Sequence, residues 1–93
     1  MPVEMKCFGV SESRNDFGML GVRLLTQEGH FYEVAANDLN VPRRGDVVEV
    51  PTLPNGELNF AAKGFEIPDR KYPDAPANVI NSVWAIPVPP PIE

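Results

Sequence analysis

An all-β fold is predicted for this 93-residue sequence: a small five-stranded antiparallel barrel followed by an extended proline-rich arm. Three observations predict it. From Met1 to Phe65 the chain runs in short stretches of alternating apolar and polar residues, the period-two signature of half-buried strands. Gly, Pro and Asn separate these stretches at hairpin spacing. Seven of the 11 prolines follow residue 67, which divides a folded body, residues 1–67, from an arm, residues 68–93.

Residues 3–10 form the first predicted strand, with Val3, Met5 and Cys7 on one face and Glu4, Lys6, Phe8 and Val10 on the other. Residues 11–16 are a polar hairpin loop. Residues 17–26 form the second strand, with Leu20, Val22 and Leu24 inward; Gly18 and Gly21 predict a bulge or bend. After the turn at Gln27-Glu28-Gly29, residues 30–36 form the third strand, with Tyr32 and Val34 opposite Phe31 and Glu33.

Residues 37–45 are a loop, with one short helical turn started by Asn37 or Asp38. Residues 47–50 form the fourth strand, stopped by Pro51. Pro54-Asn55-Gly56 is the clearest hairpin turn. It leads to a fifth strand with Leu58, Phe60 and Ala62 inward and Lys63 and Phe65 outward. Five strands with a loop after the third match an oligonucleotide-binding (OB) barrel; an SH3-like barrel uses similar hairpins.

In the arm, the prolines preclude a regular helix across most of its length. Residues 79–86, Val-Ile-Asn-Ser-Val-Trp-Ala-Ile, are apolar enough to cover the barrel or another subunit. The run Pro87-Val88-Pro89-Pro90-Pro91 predicts polyproline II, a form that protein partners take as a ligand.

Composition narrows the function. The net charge is −5, with ten acids and six bases in residues 1–67. This counts against broad phosphate binding, which draws its affinity from Lys and Arg. Cys7 is the only cysteine, so an intrachain disulfide is impossible and a reducing compartment is expected. The N-terminus lacks a charged-then-apolar signal pattern. No run reaches the roughly 18 apolar residues of a membrane span. A cytoplasmic protein is expected, in the host cytoplasm if phage-encoded, without membrane association.

No catalytic residue is identified. His30 stands alone beside a turn, the carboxylates form no spaced pair, and no Cys/His spacing specifies a metal. No Gly-rich phosphate loop is present. No enzyme activity, metal or cofactor is expected. The outward faces say more. Alternation places Lys6, Phe8, Arg23, Phe31, Lys63 and Phe65 outside, three rings among three bases. Bases of single-stranded nucleic acid stack on such rings at roughly 1–3 kcal/mol each, and Lys or Arg contacts phosphate. Arg43 and Arg44 extend the positive track. Glu4, Glu33 and Glu49 on the same face oppose it.

The stretch Val41-Pro42-Arg43-Arg44-Gly45-Asp46-Val47-Val48-Glu49-Val50-Pro51, followed by Asn55-Gly56-Glu57-Leu58-Asn59-Phe60, resembles the second half of filamentous-phage single-stranded DNA-binding proteins. Gly-Asp-Val-x-Val before a hairpin also resembles OB domains of the initiation-factor and cold-shock type. The phage resemblance implies an OB-like barrel that dimerises and coats single-stranded DNA during replication. By position it implies Arg14, Phe17, Arg23, Phe31 and Lys63 as DNA contacts.

Two functions are expected from these residues. The first is sequence-tolerant binding of single-stranded DNA or RNA by a homodimer, through Lys6, Phe8, Arg14, Phe17, Arg23, Phe31, Arg43, Arg44, Lys63 and Phe65. The second is an acidic, non-enzymatic protein-interaction module, such as a virus-encoded inhibitor of a host nucleic-acid enzyme.

Overall fold

The computed structural model describes residues 1–67 and 72–91. The start of the arm, residues 68–71, and its last two residues, 92–93, lie outside them. Five antiparallel strands form one curled sheet: β1 (Val3–Arg14), β2 (Leu20–Thr26), β3 (Phe31–Ala36), β4 (Val47–Val50) and β5 (Phe65–Glu66). Their order is β4-β1-β2-β3-β5. β4 and β5 are the outer strands and do not pair with each other, so the sheet is a half-barrel open on that side. This corrects the expected closed barrel. The reason is that residues 58–62, expected to close it as a strand, form only an isolated bridge at Leu58 and then part of a 3₁₀ turn.

Alternation places the core. Val10, Val22 and Val34 stand opposite one another in register across β1, β2 and β3. With Met5, Cys7, Leu24, Ala36 and Val50 they fill the inner face, which corrects the expected outward place of Val10: Phe8 is an extra residue of β1 between Cys7 and Gly9 and reverses the alternation after it. Phe60 sits at the open side, 3% exposed, its ring 5.3 Å from that of Tyr32. Burial pushes the Cys7 thiol above its ordinary pKa, and Asp46 adds to the rise. Its buried position predicts that a disulfide-exchange reagent at pH 8 leaves native Cys7 unmodified and labels it fully in denaturant. Rapid labelling of the folded chain would show that β1 opens at its centre.

The fifth strand departs from expectation. Residues 58–62 form no strand; Leu58 makes only an isolated bridge to Thr52, and Phe60–Lys63 coil into one 3₁₀ turn. Gly64 ends the turn in the left-handed region at φ 77°. That turn resets the alternation. Phe60 and Phe65, five positions apart, would face opposite ways in a continuous strand. Both instead point into the core, Phe65 with 5% exposure.

The arm departs too. Residues Ala77–Trp84 form a helix, α1, where an extended chain was expected. Pro76 stands at the helix N-cap, where a missing N–H costs nothing, and the next proline is Pro87. The intervening stretch is therefore free to be helical. Among the described residues, no helix is long and apolar enough to cross a membrane.

Residues 72–91 cross the outer face of the sheet like a strap. Tyr72 packs on Phe31 of β3, ring centroids 4.9 Å apart, and its hydroxyl donates to Glu33 at 3.1 Å. Ala75 N–H donates to Gly29 C=O at 2.8 Å, and Asp74 meets His30 at 3.2 Å. Val83 is buried over β1 and β2. Pro87 and Pro89 then reach Gly45, just before β4. Gly45 has φ 96°, and a Cβ there would lie 2.6 Å from the Pro87 carbonyl oxygen. Only glycine allows that approach.

Candidate functional site

The register divides the outer face of the sheet into two halves. Val47, Lys6, Leu25 and Phe31 are successive partners across β4, β1, β2 and β3. Phe8 is the extra residue of a bulge between Cys7 and Gly9, and its ring meets Phe31 edge-on at 5.3 Å. The strap covers this half. Leu25 is fully buried although it faces away from the core, because α1 lies over it.

Lys6 shows the consequence. Its phase is outward as expected, yet it is 5% exposed. Its ammonium donates to the Trp84 carbonyl at 3.3 Å and to the Ile86 carbonyl, and lies 5.4 Å from the centroid of the Trp84 ring. A cation at a helix C-terminus meets the negative end of the helix dipole and carbonyls with no helical partner. Lys6 is thus a clamp for the arm. Trp84 Nε1 is buried beside it without a hydrogen-bond partner among the described residues.

Among the described residues, the other half is open. Gly9, Ser11, Gly21, Arg23, Glu33 and Ala35 floor two depressions, of about 470 and 430 Å³, that meet at Ser11, Gly21 and Glu33. Phe17 and Met19 form one wall, and Glu66 and Ile67 the opposite one. The floor is low for a local reason. Between the pairs Val10↔Val22 and Arg14↔Leu20, three residues of β1 face one of β2. The mismatch leaves the Gly21 N–H without a ladder partner, and the Ser11 hydroxyl accepts it at 2.8 Å. The same hydroxyl donates to the Ser13 carbonyl at 2.9 Å, so its side chain folds onto the backbone.

Phe17 stands at the tip of the β1–β2 hairpin, 84% exposed. Its turn is tightly built. The Asn15 side-chain oxygen accepts from the N–H groups of Phe17 and Met19, both at 2.9 Å. Gly18 N–H donates to Asn15 C=O, and Arg14 donates to Gly18 C=O, both at 3.0 Å. Gly18 takes φ 77°, which lets the chain reverse beneath the exposed ring. An aromatic side chain is therefore held in water by a rigid backbone.

The expected site residues do not form one surface. Phe65 is in the core and Lys6 is under the arm, which corrects their expected outward exposure. Phe8 and Phe31 meet, with the Tyr72 ring against Phe31. Arg14 pairs with Asp38 at 2.6 Å, and Arg23 with Glu33 at 3.3 Å. Arg43 donates to the Pro90 carbonyl. Arg44 and Lys63 are exposed, and neither forms an ion pair among the described residues. Phe17 alone of the five phenylalanines is exposed. Met19, Gly21, Glu66 and Ile67 were not anticipated. The alternating small residues Gly9, Ser11, Gly21 and Ala35 were the sequence signal for the trough.

His30 lies 3.2 Å from Asp74 and 3.6 Å from Glu28, half-exposed, with no nucleophile in this group. Among the described residues no three His, Cys, Asp or Glu side chains gather as a metal site. No family model, curated protein or solved structure matches the chain.

Proposed function

We propose that this chain is a non-enzymatic protein-interaction module whose recognition surface is the open half of the sheet, centred on the β1–β2 hairpin. The observation that carries this reading is Phe17: a large apolar ring, 84% exposed, on a turn fixed by side-chain and backbone hydrogen bonds. Burying such a ring contributes to association without a large ordering cost, since the turn is already formed. Ile67, 57% exposed, stands across the same trough. Contiguous exposed apolar groups rimmed by polar ones mark protein contact surfaces.

Stacking of nucleotides draws less support. Its rings and bases would have to be exposed together, and Phe65 and Lys6 are not. Two of the remaining bases, Arg14 and Arg23, already hold carboxylates.

A photoreactive phenylalanine at position 17, with the same residue at the exposed Leu53 as control, tests the reading in cells producing the protein. Nuclease-resistant protein adducts from position 17 and none from position 53 are expected. Adducts that nuclease removes, or tight binding of a labelled oligothymidylate at low salt, would instead establish a nucleic-acid binder.

A further inference from the structure

We infer that the occupant of the trough is a basic segment of a partner protein that inserts one bulky apolar side chain. This rests on the protein-interaction reading above and adds the chemistry of the partner.

The floor sets the first requirement. Gly21 and Ala35 stand opposite each other on β2 and β3, beside Ser11 of the bulge. None of the three raises more than a short side chain. Phe17, Met19 and Ile67 stand higher on either side. A volume of about 470 Å³ accommodates a large side chain of a partner. The polar groups of the floor are already engaged: the Gly21 N–H and the Ser11 hydroxyl bond each other, and Arg23 bonds Glu33. Apolar contact is what this floor has left to offer.

Charge sets the second requirement. The two depressions are bordered by Glu12, Glu33 and Glu66 against Arg14 and Arg23. Both arginines are already ion-paired, Arg14 with Asp38 beyond the rim. Among the described residues the surroundings are therefore net acidic, as is the chain at −5. A second copy of the chain would bring further negative charge. Lysine or arginine beside the inserted side chain would meet complementary potential and associate faster.

The test uses the full chain and two capped peptides. One carries phenylalanine between lysines; the other carries it between glutamates. Backbone amide shifts are followed by NMR. The lysine peptide is expected to move Gly9, Ser11, Gly21 and Ala35 saturably, and to bind at least about tenfold more tightly than the glutamate peptide. Gly21→Leu fills the floor. A Cβ at this position meets only Ser11, at 3.6 Å, an ordinary contact, and amide shifts away from the trough that match the parent's check that the variant keeps its fold. It should weaken the lysine peptide about tenfold or more.

Equal affinity of the two peptides, an unchanged affinity in Gly21→Leu, or no shift at these amides would overturn the inference. Those results would leave the crosslinking experiment at position 17 to decide the broader reading. Tighter binding of oligothymidylate at the same amides would overturn both.

Discussion

Phe60→Ala is expected to destabilise the protein by about 3–5 kcal/mol, the range for removing a buried phenylalanine. A domain of this size has roughly 5–14 kcal/mol in all, so the variant loses a large share of it. The expectation follows from the open side of the half-barrel. β4 and β5 form no ladder with each other, and the 3₁₀ turn Phe60–Lys63 touches both. Phe60 is its one buried residue and packs on Tyr32. Alanine would leave a void lined by the inner face, and the two short outer strands cannot collapse into it. Urea unfolding followed by far-UV circular dichroism reads the effect. Phe17→Ala, with its ring already in water, should stay within about 0.5 kcal/mol of the parent. An unchanged midpoint for Phe60→Ala would mean that the turn does not close the sheet.

Lys6→Met is expected to release the arm at a cost of about 1–3 kcal/mol, the penalty for stranding buried polar groups. Methionine keeps most of the stem but donates nothing. The Trp84 and Ile86 carbonyls would lose the ammonium, and the Trp84 ring would lose the adjacent cation. Trp84 already has a buried Nε1 without a partner, so water becomes the better environment once the clamp is gone. As the only tryptophan it reports directly: its emission should shift to the red in Lys6→Met and stay unchanged in Lys63→Met. A parent-like spectrum in Lys6→Met would show that the buried Val83 holds the arm without the lysine.

These two residues mark where the amino-acid pattern is legible and where it is not. Alternation correctly placed Met5, Cys7, Val22, Leu24, Val34 and Val50 inside, because burial on one face of a pleated strand enforces period two. It also placed Phe60 inside correctly, but not Ala62, which the 3₁₀ turn leaves exposed. It failed five residues later at Phe65, because a 3₁₀ turn and a left-handed Gly64 intervene and neither preserves the count. Lys6 was phased correctly and still misjudged for exposure. Whether an outward side chain meets water depends on what else the chain lays over it.

For the candidate site the same division holds. A hairpin end near Phe17 was visible, but residues 11–14, expected as loop, belong to β1, and Phe17, expected in β2, stands in the turn before it. Its open exposure was not visible, since nothing local says which phenylalanines find cover. Phe31 found Tyr72 and Phe65 found the core, while Phe17 found neither.

By itself the order of residues determined an all-β body, the inner face of its first four strands apart from Val10, and the turns at residues 27–29 and 54–56. These depend on interactions between near neighbours and on one-sided burial. Only the tertiary structure decided that the sheet stays open, that α1 seals half of its outer face through Lys6, and that the described residues leave the trough beside Phe17 clear. Those outcomes depend on contacts between segments far apart in the chain, and no local pattern encodes them.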